Sequence, residues 1–152
     1  MTETEILAVL RSHSFTRGLN EPHRKRLAAG AKTFTAAPGE MLFREGELAQ
    51  AFYLITSGHV AVGTHLGERG DVPIQTVGPG EVVGWSWLLP PFRWQFDARA
   101  EDAVAGLAFD AVWLRGLCEQ DHDLGFHLVK HLLAVVAARV ASARLARLDI
   151  YK

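Results

Sequence analysis

Three tryptophans, Trp85, Trp87 and Trp94, fall within one ten-residue window, and Arg93 precedes the last of them. Indoles give flat, apolar walls, and aromatic walls with a few polar anchors are an ordinary way to hold a small molecule. Such a window suits a flat or apolar ligand whose acidic group pairs with the Arg93 guanidinium. A cation in an aromatic cage is a further option. The bland alternative is that the indoles fill a core. Other chemistry is thin. His127 and His131 are four apart and share a helical face, with His122 nearby. Only Cys118 and Asp123 stand near enough to extend that set, so a surface pair is expected and no metal site. Cys118 has no base or orienting group at motif spacing, and is read as a helix-packing residue. Gly67-Glu68-Arg69-Gly70 reads as a hairpin tip, not a phosphate loop. No catalytic constellation is visible, so an enzyme is not expected.

The elements that must carry this window separate by periodicity. In residues 1–31, Ile6, Leu7 and Leu10 recur at helical spacing. Asn20-Glu21-Pro22 is a helix start, with Asn as cap and Pro in the first turn, and Gly30 is a stop. In 32–109, Pro38-Gly39, Glu45-Gly46, Ser57-Gly58 and Gly78-Pro79-Gly80 punctuate short apolar or alternating runs, the rhythm of a sandwich or barrel. From Asp110 to Leu148 the pattern is helical again, with Asp110 capping a first helix and a second running from about 121 to 148. That last helix carries two apolar stripes. One is Phe126, Val129, Leu133, Val136 and Val140; the other is Leu124, Leu128, Leu132, Val135 and Leu145. Two stripes need two partners, so the barrel is expected to cover one and a second copy of the chain the other.

Composition narrows the class. With 152 residues the chain suits one domain. Lys plus Arg number 16 against 17 for Asp plus Glu, so the basic excess of a nucleic-acid binder is missing. Arg139, Arg144 and Arg147 complement the C-terminal end of the last helix. One cysteine cannot form an internal disulfide, the opening residues have no secretory character, and no run approaches about 18 uninterrupted apolar residues. A cytoplasmic location with no membrane partner is therefore expected.

The punctuation is more specific than a barrel. Pro38-Gly39-Glu40, Gly46-Glu47, Phe52-Tyr53-Leu54-Ile55 and Ser57-Gly58-His59-Val60-Ala61-Val62 resemble the opening half of the cyclic-nucleotide-binding domains, as in the cyclic-AMP receptor/FNR regulators. Gly80-Glu81-Val82-Val83-Gly84 resembles the approach to their phosphate-binding cassette, and Ala98-Arg99-Ala100 leads into their closing strand, Val104 to Phe109. The resemblance implies a mainly β jelly-roll barrel (32–109) with N-terminal helices (1–31), C-terminal helices (110–148) and homodimerisation through the helix 121–148. In the regulators a Leu-Asp-aliphatic step like Leu148-Asp149-Ile150 leads to a helix-turn-helix domain. Here only Tyr151-Lys152 follow, so a single sensor domain over 1–152, without DNA binding of its own, is the expectation.

The resemblance also implies three ligand contacts. Cassette amides would meet the cyclic phosphate, and Gly84, Trp85 and Ser86 stand there. A glutamate after the cassette glycine would accept the ribose hydroxyl, but Trp85 occupies that position. Glu81 matches the family's turn acid instead. An arginine would pair with the phosphate, but counting back from Ala98-Arg99-Ala100 the position falls on Trp94. Arg93 is one residue off, and a one-residue slip along a strand reverses the side chain. Two charged hydrogen bonds at about 1.5–3 kcal/mol each are thereby lost, so cyclic AMP in the usual mode is not expected. The binding set is read as Gly84, Trp85, Ser86, Trp87, Arg93, Trp94 and Gln95, with no catalytic and no metal residues. The expected function is a regulatory sensor signalling to a partner protein. The alternatives are a non-binding dimerisation or scaffold module, and a weak binder of cyclic nucleotides or of another anionic or aromatic ligand.

Overall fold

The computed structural model describes residues 1–65 and 71–150, without the side chains of 65, 71–73 and 142–150. The expected hairpin tip at Gly67 to Gly70 therefore lies outside the described residues, as do the side chains of Arg144, Leu145 and Arg147. Two N-terminal helices come first, α1 (Glu3–Ser12) and α2 (Glu21–Ala28). A reciprocal box of Thr2 and Glu5 caps α1, and the Asn20 side chain caps α2 by accepting from the His23 amide at 2.9 Å. The helix α2 stops where Gly30 is expected to end it, with Ala29 as its C-cap, but Gly30 is not among the glycines of positive φ. Gly30 instead makes room: a Cβ there would lie 2.4 Å from the Trp113 ring.

Eight strands follow: β1 (Ala31–Ala36), β2 (Met41–Phe43), β3 (Ala51–Ser57), β4 (Val60–His65), β5 (Asp71–Val77), β6 (Val82–Val83), β7 (Asp97–Ala100) and β8 (Val104–Asp110). They form two antiparallel four-stranded sheets, β1-β8-β3-β6 and β2-β7-β4-β5. This is the jelly-roll arrangement, with one correction to the expected barrel: the strands do not close into a single ring. β6 has two residues and β2 three, too few to carry a continuous ladder from one sheet to the other.

Strand alternation sorts the side chains of β3. Phe52 and Leu54 are buried on one face, where Phe52 meets Phe15, Trp87 and Phe109. Tyr53 points to the other face, toward Phe34 of its own sheet and Phe43 of the second sheet. The space between the sheets therefore starts with aromatic walls.

Two helices end the chain, α3 (Ala111–Gln120) and α4 (His122–Ile150). Asp110 caps α3 as expected, accepting from the Trp113 amide at 2.9 Å. The chain divides into two compact units inside α3, Met1–Gly116 and a second from Leu117 onward. In the second unit the Asp121 side chain accepts from the Leu124 amide to start α4, and Gly125 allows the backbone of Cys118 to approach closely. The two stripes of α4 differ in burial over part of their length. Leu124, Leu128 and Leu132 are buried, while Phe126 and Leu133 are 63% and 65% exposed, with Val129 and Val140 exposed beside them. The stretch His122–Ala141 is long and apolar enough to cross a membrane by length and composition alone.

Candidate functional site

One turn design recurs three times around the space between the sheets. In Ala37 to Glu40, Arg44 to Glu47 and Gly78 to Glu81, the fourth residue's amide donates to the first residue's carbonyl at 3.0–3.1 Å. The third residue is a glycine with φ between +83° and +87°, a region that a Cβ makes costly. The glutamate at the fourth place folds back, and its carboxylate accepts from the first residue's amide at 2.8–3.2 Å. Glu81 is thereby a turn residue, as its sequence context implies. The second turn holds the β2–β3 connection in place and the third leads into β6 and Gly84.

Across the interior stands a wall of two rings. Trp94 is 4% exposed and stacks on Phe43 with ring centroids 3.6 Å apart and planes 9° from parallel. Its backbone is pinned on both sides, donating to the Glu47 carbonyl and accepting from the Gly46 amide, each at 2.9 Å. Gly84 has φ +92°, and a Cβ there would lie 2.4 Å from the Trp94 ring. Glycine is thus needed at position 84 both for the backbone and for the indole.

On one side of this wall, Phe43, Val62, Val83, Gly84, Trp85, Ser86, Trp94, Gln95 and Phe96 line a compartment. It brings together five of the seven expected site residues. Trp85 is partly exposed and lies edge-on to Phe96. A water's centre can occupy only about 20 Å³ there, roughly one water's worth. Arg93 and Trp87 are not in this set. Arg93 points outward and donates to the Gly46 carbonyl at 3.0 Å, because the register that turns Trp94 inward turns its neighbour out. Trp87 is fully buried against Phe52, and its indole N–H has no hydrogen-bond partner.

Residues 86–88 form a single turn with no regular helix, closed by the Leu88 amide donating to the Trp85 carbonyl. Arg115 of α3 holds this segment. It donates to the Trp87 carbonyl at 2.5 Å, and its guanidinium sits 4.0 Å above the Phe92 ring. Sequence reasoning missed Arg115, although a lone arginine inside Ala-Val-Trp-Leu-Arg-Gly-Leu is an available signal. It also missed Phe43, Val62 and Phe96, which only the pairing of strands brings to the site.

On the other side of the wall, Leu42, Phe43, Glu47, Leu48, Gln50, Ala51, Tyr53 and Trp94 line a second compartment, where a water's centre can occupy about 220 Å³. Burial pushes the Tyr53 hydroxyl's pKa up, so it stays protonated at neutral pH. Two histidines lie outside both spaces. His13 is buried, accepts at Nδ1 from the Phe15 amide and meets the Ile55 carbonyl through Nε2; burial holds its pKa below the ordinary value. His59 pairs with Asp102 at 2.8 Å, which raises its pKa. Burial raises that of Cys118, away from reactive-thiolate character. Among the described residues, no three His, Cys, Asp or Glu side chains gather as a metal site would require.

A two-sheet jelly roll with a short glycine-led turn between β6 and β7, followed by a long C-terminal helix, is the fold of a class of regulatory domains. The model of the cyclic nucleotide-binding domain matches residues 33–121, and the chain belongs to that family. It is 32% identical over 105 residues to the cyclic AMP receptor protein of Thermus thermophilus, a match that takes in 66% of this chain and spans only 44% of that relative's length. A cyclic nucleotide-binding protein of Geobacter metallireducens superposes with a TM-score of 0.78 at 26% identity, covering 88% of this chain and 96% of that one. The regulatory subunit of a cAMP-independent protein kinase A from Trypanosoma cruzi, bound to guanosine, has the same fold, with a TM-score of 0.65 at 21% identity over 72% of this chain and 38% of that one. The family is regulatory rather than catalytic.

Proposed function

We propose that this chain is a cytoplasmic, non-enzymatic regulatory domain that does not bind cyclic AMP in the family's usual mode and signals to a partner protein as a homodimer. The observation that carries the first part is the Phe43–Trp94 stack, which leaves about 20 Å³ beside the cassette. A ribose phosphate does not fit there. Trp85 and Trp94 supply no acceptor for a ribose hydroxyl and no cation for a phosphate, and Arg93 is turned away. Gly84, Trp85, Ser86, Trp94 and Gln95 remain the ligand-facing set on that side. Titration calorimetry with cyclic AMP and cyclic GMP tests this. No saturable heat is expected, and a dissociation constant in the low micromolar range or tighter overturns it.

The exposed stripe of α4 supports the second part, since Phe126, Leu133 and Val140 together make an apolar surface that monomers rarely leave open. Leu133→Glu should turn a dimer into a monomer in light scattering; a monomeric parent chain would refute the assembly. The same stripe favours a second reading, a dimerisation module with no small ligand. The guanosine-bound kinase subunit, described as cAMP-independent, weighs toward the sensor, because it shows the fold holding another ligand.

A further inference from the structure

The wall formed by Phe43 and Trp94 has two sides, and the wider space lies on the side away from the cassette. We propose that this second compartment binds a small organic cation, a protonated amine, with Glu47 as counter-charge and Phe43, Tyr53 and Trp94 as aromatic walls. This goes beyond the function proposed above, which concerns the cassette side, and either can fail without the other.

Charge sets the ligand class. Glu47 carries the only charge among the eight lining residues at neutral pH, and no Lys, Arg or His lines the space. An anion would meet a carboxylate with nothing to offset it, whereas an ammonium group gains the Glu47 charge and its apolar substituent the aromatic surface. The polar groups are also available. One Glu47 oxygen is committed to the Arg44 amide at 2.8 Å, which orients the carboxylate and leaves the other oxygen for a ligand. Among the described residues, neither the Tyr53 hydroxyl nor the Gln50 side-chain amide has a hydrogen-bond partner. Exposed Glu47, Leu48 and Gln50 form a mouth, and buried Phe43 and Trp94 form the floor. A bulky apolar group on the amine would rest on the floor, with its charge at the mouth.

The test uses phenethylammonium chloride as probe, phenylacetate as the control of opposite charge, and amide and indole chemical shifts of the chain. Saturable shifts are expected at the Gln50 side-chain amide and the Trp94 indole, with none from phenylacetate. Glu47→Gln should weaken binding about tenfold or more, as loss of a charged hydrogen bond does. The new amide oxygen can still accept from Arg44, and Glu40→Gln, the same change in a sister turn away from the compartment, should bind as the parent does. Should Glu47→Gln not fold, the parent's affinity must still fall with added NaCl. The proposal is overturned by absence of saturable shifts at millimolar probe, by equal binding of phenylacetate, by shifts at Trp85 and Ser86 instead, or by affinity indifferent to both Glu47→Gln and salt.

Discussion

Trp94→Ala removes the partition between the two compartments, and its cost can be worked from the packing. The indole is 4% exposed and lies flat on Phe43. An aromatic side chain of this kind buries about 150–250 Å², worth roughly 4–6 kcal/mol at about 25 cal/mol per Å². Measured tryptophan and phenylalanine truncations in cores cost about 3–5 kcal/mol. The lower end applies here, because the ring already lines a space of about 220 Å³, wide enough for water to enter, so the cavity can fill instead of standing empty. A loss of about 3 kcal/mol corresponds to a melting temperature roughly 6–12 °C lower for a chain of this size. Urea titration followed by circular dichroism measures the first and a thermal scan the second. Free indole then gives a specific check. At about ten times its dissociation constant it should return about 1.4 kcal/mol to the variant and nothing to the parent, whose indole is already in place. A loss below about 1 kcal/mol, or equal stabilisation of variant and parent by indole, refutes the wall.

Three further outcomes are expected. Gly84→Ala should destabilise by at least about 1–2 kcal/mol in urea titration, since it combines a positive φ with a 2.4 Å approach to Trp94; a neutral change would mean that the indole is not held there. Cyclic AMP affinity should rise from undetectable to measurable in Trp85→Glu with Trp94→Arg, and a still-blind folded variant would show that the interior is remodelled beyond these two positions. For pH, His13 and His59 oppose one another: folded His13 resists the proton that the unfolded chain takes up as pH falls through about 6.5, so it lowers stability there, whereas folded His59 takes its proton above about 6.5 and adds stability that is fully present below about 6.5 and lost as pH rises through its raised pKa. In about 0.5 M NaCl the exposed His59 pair is screened and His13 should govern, giving stability that declines from about pH 7 to about pH 5 and a flatter curve for His13→Asn; parallel curves would exclude His13.

The fold was legible because its signals are local. A glycine-glutamate pair at the end of each of three turns has a backbone reason and a side-chain reason to be there, both acting within four residues. The caps at Asn20 and Asp110 are equally short-range. Gly30 marked the end of α2 but not its own reason, because its partner, Trp113, is distant in sequence and a glycine kept for space looks the same as a glycine kept for conformation. The failure to close the sheets into a barrel was likewise beyond a pattern of alternation, which marks strands without saying how many residues each contributes to a ladder.

The site was half legible for a related reason. The resemblance put a ligand-facing position at Trp94 and left Arg93 one residue off; in the structure Trp94 is buried on Phe43 and Arg93 donates to the Gly46 carbonyl. What a single strand cannot reveal is the ring opposite. Phe43 is unremarkable in sequence, yet it turns Trp94 from one more core residue into half of a partition. The consequence reaches past the cassette. The stacked pair lines both spaces, and the polar groups Glu47, Gln50 and Tyr53 face only the second, so the cassette side and the second compartment share an aromatic wall and no polar side chain.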